Sequence, residues 1–203
     1  MRILVACEYS GAVRDEFKKL GHYVLSCDLL PTEKPGLHYQ GDVMDIINDK
    51  WDMMIAFPPC THLAVSGAAH FKNKIEQQKE AISFVKKLWD CNIPKIAIEN
   101  PVGVLSTKFK KPDQIIQPYF FGDNYSKKTC LWLKNLPFLN WFPEGGLFPS
   151  SEVIPEYLFY NSKKTKSGLS KYSKFGKLGK GKGKERSLFP PGISKAMAEQ
   201  WGN

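Results

Sequence analysis

Short continuous apolar runs alternate along the chain with stretches of helical periodicity. Residues 2–7 (RILVAC) have the pattern of a strand buried on both faces. Ser10 and Gly11 lead into a stretch where Ala12, Val13, Phe17 and Leu20 recur at helical spacing, and Gly21 supplies a stop. Residues 23–27 (YVLSC) predict a second strand ending at Asp28. Gly41 and Asp42 open a short helix or turn, and residues 51–57 (WDMMIAF) predict a third strand, halted at Pro58-Pro59-Cys60. The clearest helix spans 74–90, with Ile75, Ile82, Val85 and Leu88 or Trp89 on one face. Residues 94–98 (PKIAI) predict a strand running into Glu99-Asn100-Pro101, residues 129–133 (TCLWL) another, and residues 193–201 a closing helix.

This order predicts an α/β fold built on a mostly parallel sheet. Ligands bind such sheets at the carboxyl ends of the strands. Glu8, Ser10, Gly11, Asp28, Asp42, Pro58, Cys60 and Glu99 all fall at or just past a predicted strand end, so one edge of the sheet should carry the function.

With 203 residues, 42% apolar and 24% charged, the composition is that of one globular domain, over 1–203, and excludes wholesale disorder. No apolar run is long enough to span a membrane, and the first residues lack a signal-peptide pattern, so a cytoplasmic protein is expected. The five cysteines have neither CxxC nor zinc-finger spacing, so no metal is expected, and Cys7, Cys27, Cys91 and Cys130 read as inert. The net charge of +9 is concentrated: residues 161–186 hold ten basic residues and one acid, and the remainder is neutral. This Gly/Ser-rich run should be a flexible internal insertion. Its lysines, with Tyr172 and Phe175 among them, suit a nucleic-acid strand; a solvated loop is the alternative.

The residues at the sheet edge suggest two half-sites. A Gly-containing turn after the first strand lets a ligand approach the backbone, although CEYSG is not a dinucleotide-binding fingerprint. Asp28 could accept from both hydroxyls of a ribose, and Asp42 from an adenine amino group; each could equally cap a turn or helix. Together they suggest an adenosine site without a phosphate-binding loop, hence a dinucleotide or S-adenosylmethionine. The two prolines before Cys60 make a rigid turn that can present a nucleophilic thiol. Glu99 after an apolar strand needs partners or a task. A buried Cys60 and a capping Glu99 are the plainer alternatives. His62 and His70 could line the same site, but read better as polar loop residues. Trp132, Trp141 and Phe142 read as core or lid aromatics.

FPPC followed by IEN, behind an adenosine-binding half, resembles the C5-cytosine DNA methyltransferase family. CEYSGAVRDEFKKLGH, SCDLLP, FPPCTHLAVSG, IENPVG, KKTCLWLKNLP and GISKAMAEQWG resemble most closely its small, single-domain phage-type versions. The resemblance implies a Rossmann-like S-adenosylmethionine-dependent methyltransferase fold with helices on both faces of the sheet. It implies methyl transfer to C5 of cytosine in DNA, with Cys60 attacking C6 and Glu99 contacting the ring. The family's QxRxR arginines are absent, and Lys128 with Thr129 stand in their place. The cofactor would be held by Cys7, Glu8, Tyr9, Ser10, Gly11, Asp28, Leu29, Asp42, Val43, Pro58 and Ser194. Ser66-Gly67-Ala68-Ala69 resembles the loop that closes over the flipped base. No full target-recognition domain fits between the last two motifs, so short or relaxed sequence specificity is expected. DNA would be held by Lys163, Lys164, Lys166, Lys171, Lys174, Lys177, Lys180, Lys182, Lys184 and Arg186. A monomer or weak dimer in a bacterial host, phage-encoded, completes the expectation. RNA or a free cytosine nucleotide as substrate, and a silent binding module, are the alternatives.

Overall fold

The structure, a computed structural model, describes residues 1–64, 75–141, 156–165, 168–173 and 187–203. Seven strands form one sheet: β1 (Arg2–Ala6), β2 (Tyr23–Asp28), β3 (His38–Gln40), β4 (Met53–Ala56), β5 (Lys95–Pro101), β6 (Gln114–Ile116) and β7 (Thr129–Lys134). Their spatial order is β3-β2-β1-β4-β5-β7-β6. Neighbours from β3 through β5 pair in parallel, whereas β7 pairs antiparallel with both β5 and β6. This is the expected mostly parallel, Rossmann-like α/β fold.

The central strands are apolar at successive positions because both faces are covered. Leu4, Ala6, Met54, Ala56, Ile96 and Ile98 face one core cluster with Val85, Leu88 and Leu105. Ile3, Val5, Met53, Ile55 and Ala97 face the other with Val13, Phe17, Ile193, Met197 and Trp201. The first is covered by α2 (Ile75–Asp90) and α3 (Leu105–Lys108), the second by α1 (Ala12–Lys19) and α4 (Pro191–Trp201). Each fully buried Val, Leu or Ile contributes about 1.5–3 kcal/mol to holding these layers. Gly21, with φ of 83°, takes the left-handed conformation its position past α1 requires. Pro191 begins α4, where its fixed φ suits the first helical turn.

Two expectations change, and two further features come from the structure. Ile75 is exposed, because it opens α2 before the buried stripe of Val85 and Leu88 begins. The strand ending at Ile98 instead continues through Glu99 and Asn100 to Pro101, because β7 pairs Leu131, Cys130 and Thr129 against these three residues. The short strands β3 and β6, three residues each, carry no periodicity that would announce them. The basic insertion is not structureless throughout: β8 (Tyr157–Thr165) and β9 (Gly168–Ser173) pair as an antiparallel hairpin. Cross-strand backbone pairing joins the two strands here. Lys163, Lys164 and Lys171 lie on this hairpin; Lys166, Lys174, Lys177, Lys180, Lys182, Lys184 and Arg186 lie outside the described residues.

Candidate active site

The parallel strands β1–β5 and the start of antiparallel β7 share one sheet edge. The strand order reverses between β1 and β4, the position where α/β sheets open a crevice. The candidate residues gather along this edge.

Pro58 is buried, and Cys60 just beyond it is the exposed member of the five cysteines. The turn is held from behind. Asn100, 1% exposed, donates through Nδ2 to the Pro58 carbonyl at 2.8 Å. The Cys60 carbonyl accepts from the backbone N–H groups of Leu63 and Ala64 at 3.0 and 2.9 Å, closing a helical turn beneath the thiol. Ala64 pairs with Gly103, and the Val104 N–H donates to the Leu63 carbonyl at 2.9 Å. A Cβ on Gly103 would lie 2.0 Å from that carbonyl oxygen, so only glycine permits the approach. The Glu-Asn-Pro-Val-Gly segment therefore clamps the Pro-Pro-Cys turn by backbone contact.

Glu99 is a strand residue of β5, not a helix cap. Burial pushes its carboxyl up to about 7, and Lys127 pulls it part of the way back. Burial in turn pushes the Lys127 ammonium down, while Glu99 and Cys60 both draw it up. Lys127, ahead of β7, thus lies electrostatically between Cys60, just past β4, and Glu99 on β5.

The cation expected in this place was Lys128, and here the structure differs. Lys128 is exposed, and its charge bears on buried Cys130. Alternation along the extended chain puts the two lysines on opposite faces, and Lys127 is the one that faces Cys60. Its backbone N–H donates to Gln117 Oε1 at 3.0 Å, and its Nζ to the Leu188 carbonyl at 2.9 Å. Thr129 is buried, and its hydroxyl donates to the Lys127 carbonyl at 3.0 Å, so it supports the lysine from below.

On the other side of this reversal point, Cys7 directly follows β1 with φ of 58°, a left-handed conformation unusual for a non-glycine residue. Burial first, then the nearby Asp28, Cys27 and Asp42, push its thiol far above the usual range. The same causes place Asp28 and Asp42 around the end of β1. Asp28 Oδ1 accepts from the Leu30 N–H at 2.9 Å, and Asp42 Oδ1 from the Met44 N–H at 3.0 Å. Both therefore do cap turns, yet the second oxygen of each accepts no protein hydrogen bond among the described residues. Leu29, 73% exposed, projects beside Asp28.

Several expected cofactor residues serve the frame instead. Glu8 is buried under α1, accepting from the N–H groups of Val13 at 2.6 Å and Arg14 at 3.3 Å. A carboxylate suits a helix N-terminus, which presents unpaired N–H groups. Ser10 Oγ accepts from the Ala12 N–H at 3.2 Å, and Gly11, with φ of 70°, precedes the helix. Val43 is buried in the core. Ser194 is buried, its hydroxyl donating to the Pro190 carbonyl at 3.1 Å. Tyr9 is half-buried at the edge, its hydroxyl 3.0 Å from Ser187 Oγ.

Arg14, Asn100, Gly103 and Lys127 were not singled out from sequence. Arg14 is wholly buried and reaches from α1 to the loop after β2, donating to Thr32 Oγ1 at 3.1 Å and to the Lys34 and Pro35 carbonyls at 3.2 and 3.3 Å. It fixes the loop that carries Leu29 and Leu30. The burial of an arginine in an amphipathic helix leaves no signal in periodicity; Asn100 and Gly103, by contrast, lie inside the quoted IENPVG run. His62 is half-buried, its Nδ1 without a hydrogen bond among the described residues, whereas His70, Phe142 and residues 66–69 lie outside the described residues. The four remaining thiols are raised: Cys7 and Cys91 by burial, Cys27 to about 12 and Cys130 to about 11. Trp132 is core, and Trp141 stacks on Phe120 with centroids 4.5 Å apart.

Among the described residues no group of three or more His, Cys, Asp or Glu is arranged to hold a metal, and no helix is long and apolar enough to cross a membrane. No family model and no curated protein matches the chain. Among solved structures, the chain is similar to a candidate DNA modification methyltransferase encoded within a prophage (E. coli), at 14% identity and a TM-score of 0.46. The match covers 76% of this chain and 52% of that one, so the chain spans about half its length.

Proposed function

We propose that this chain transfers the methyl group of S-adenosylmethionine to C5 of cytosine in DNA through a covalent bond between Cys60 and C6. The observation that carries the reading is the coupling of an exposed thiol, a carboxyl raised to about 7 and an ammonium at one sheet edge. Attack on C6 needs a soft nucleophile that is also a good leaving group, which a thiolate is. Lys127 favours the thiolate form of Cys60. Glu99, half protonated near neutral pH, donates to N3 as charge builds on the ring. C5 gains carbanion character, takes the methyl group and then loses its proton, and expulsion of the Cys60 thiolate restores the ring. The target cytosine must leave the duplex stack to reach these groups.

The residues around the end of β1 fit the cofactor. Asp28 and Asp42 each retain a carboxylate oxygen without a protein hydrogen bond among the described residues, Leu29 offers apolar surface, and Tyr9 lies on the same edge. When bound, S-adenosylmethionine supplies an electrophilic methyl group. The lysines of residues 163–186 suit the phosphate backbone, and the short stretch between the last motifs suits relaxed sequence specificity.

The test is trapping on DNA containing 5-fluorocytosine, where C5 has no proton to lose. A cofactor-dependent covalent adduct that disappears in Cys60→Ala is expected, with cofactor binding nearly intact in that variant. Adducts on RNA alone would move the substrate class. Turnover retained by Cys60→Ala would overturn the covalent mechanism, and no cofactor binding at millimolar concentration would favour a silent binding module.

A further inference from the structure

Residues 187–189, with Ser187 helical and Leu188 and Phe189 in irregular backbone, form a strap along the functional edge before α4 begins, and their contacts reach three different strand ends. Ser187 Oγ lies 3.0 Å from the Tyr9 hydroxyl, past β1. The Leu188 carbonyl accepts from Lys127 Nζ at 2.9 Å, ahead of β7. The Phe189 ring packs on Phe57 at the end of β4, with centroids 4.7 Å apart and planes inclined by 57°. The Leu188 side chain is 44% exposed, so this residue contributes its carbonyl and little packing. Pro190 is buried next to it and fixes the exit into α4.

A lysine head is a strongly hydrated point charge on a flexible stem, and confining it takes a fixed acceptor. The Leu188 carbonyl is such an acceptor, because the chain on either side of it is pinned. We propose that Phe189, assisted by Ser187, is a positioning residue for Lys127: it anchors the Leu188 carbonyl, which holds the ammonium beside Cys60 and Glu99. The titratable groups facing Lys127 among the described residues are Cys60 after β4 and Glu99 on β5, and the strap presents a neutral carbonyl. Displacing the ammonium therefore weakens the support given to the Cys60 thiolate.

This inference deepens the proposed function and rests on the reading of Cys60, Glu99 and Lys127 as its reactive group. Its test is independent of methyl transfer. The rate of Cys60 alkylation by iodoacetamide is followed against pH in the full chain by peptide mass, without cofactor or DNA, with the four other thiols as internal controls. Lys127→Met should raise the midpoint by about one pH unit or more. Phe189→Ala should raise it by part of that shift, slowing alkylation at least about twofold below the midpoint, and Phe189→Tyr should restore it. Ser187→Ala, at an exposed position, should give a smaller shift in the same direction. In the Lys127→Met background, Phe189→Ala should add nothing, since both act through one ammonium. An unchanged midpoint in Phe189→Ala overturns the proposal, as does an equal shift in both backgrounds. If Phe189→Ala does not fold, Phe189→Leu and Ser187→Ala decide it: unchanged midpoints in both overturn it. Failure of the trapping reaction with a positive alkylation result would instead sink methyl transfer and leave the positioning role standing.

Discussion

Replacing Glu99 with glutamine should make the protein more stable and less active, and the stability gain should depend on pH. Burial raises the Glu99 carboxyl from 4.5 to about 7 in the folded chain. The unfolded chain therefore releases this proton first as pH rises. Below about pH 4.5 the carboxyl is neutral in both states, and Glu99 imposes no ionisation penalty. Between 4.5 and about 7 the unfolded state gains about 1.4 kcal/mol per pH unit relative to the folded state. Above that window the wild type has lost about 3 kcal/mol relative to a neutral isostere. Glu99→Gln removes the ionisation and should recover up to that amount at about pH 9, and nothing at about pH 4. For a chain of this length the gain corresponds to roughly 6–12 °C in Tm. Lys127 tempers it, because the glutamine no longer pairs with the ammonium. Thermal or urea unfolding of both proteins at the two pH values measures the effect. Turnover should fall by about a hundredfold or more, as expected for loss of a group that supplies a proton. A variant that is equally destabilised at both pH values would refute the premise that the carboxyl is held against ionisation.

Gly103→Ala should cost about 1–3 kcal/mol through overpacking against the Leu63 carbonyl, and should lower kcat by displacing the turn under Cys60; unchanged unfolding and kcat would remove the clamp from the argument. Arg14→Met should destabilise by about 3 kcal/mol and weaken S-adenosylhomocysteine binding measured by calorimetry, since it releases the loop beside Asp28. DNA affinity should fall steeply with salt, and Lys→Gln changes across 163–184 should flatten that slope while leaving cofactor affinity nearly unaltered; a flat slope in the wild type would discard the phosphate-tracking role.

The central strands and main helices were legible because buried parallel strands are continuously apolar and α2 carries a clear stripe. The sheet edge was legible for the same reason: strand ends follow from where apolar runs stop. What escaped depends on pairing in space. Nothing local says that β7 runs antiparallel to β5, and that pairing extends β5 through Glu99. Two adjacent lysines ahead of β7 meet different surroundings, Lys127 near Glu99 and Cys60 and Lys128 near Cys130, and adjacency in sequence does not distinguish them. Glu8 and Ser194 have structural partners that the sequence did not announce, for a related reason. Both lie at helix starts near the edge, but their polar atoms are spent on backbone groups of those helices. The charge of residues 161–186 was plain, whereas the β8–β9 hairpin depends on cross-strand pairing that composition does not reveal.

The packing of α4 on α1 has a consequence for synthesis. Val13 and Phe17 emerge early but meet Ile193, Met197 and Trp201 only after residues 191–201 have been made. At elongation rates of about 5–20 residues per second, that wait is roughly ten to forty seconds. Throughout it, the apolar stripe of α1 has no cover on that side, and the strap that confines Lys127 does not yet exist. The order of translation thus leaves the contact between Lys127 and the Leu188 carbonyl and the sealing of the second core to one late segment.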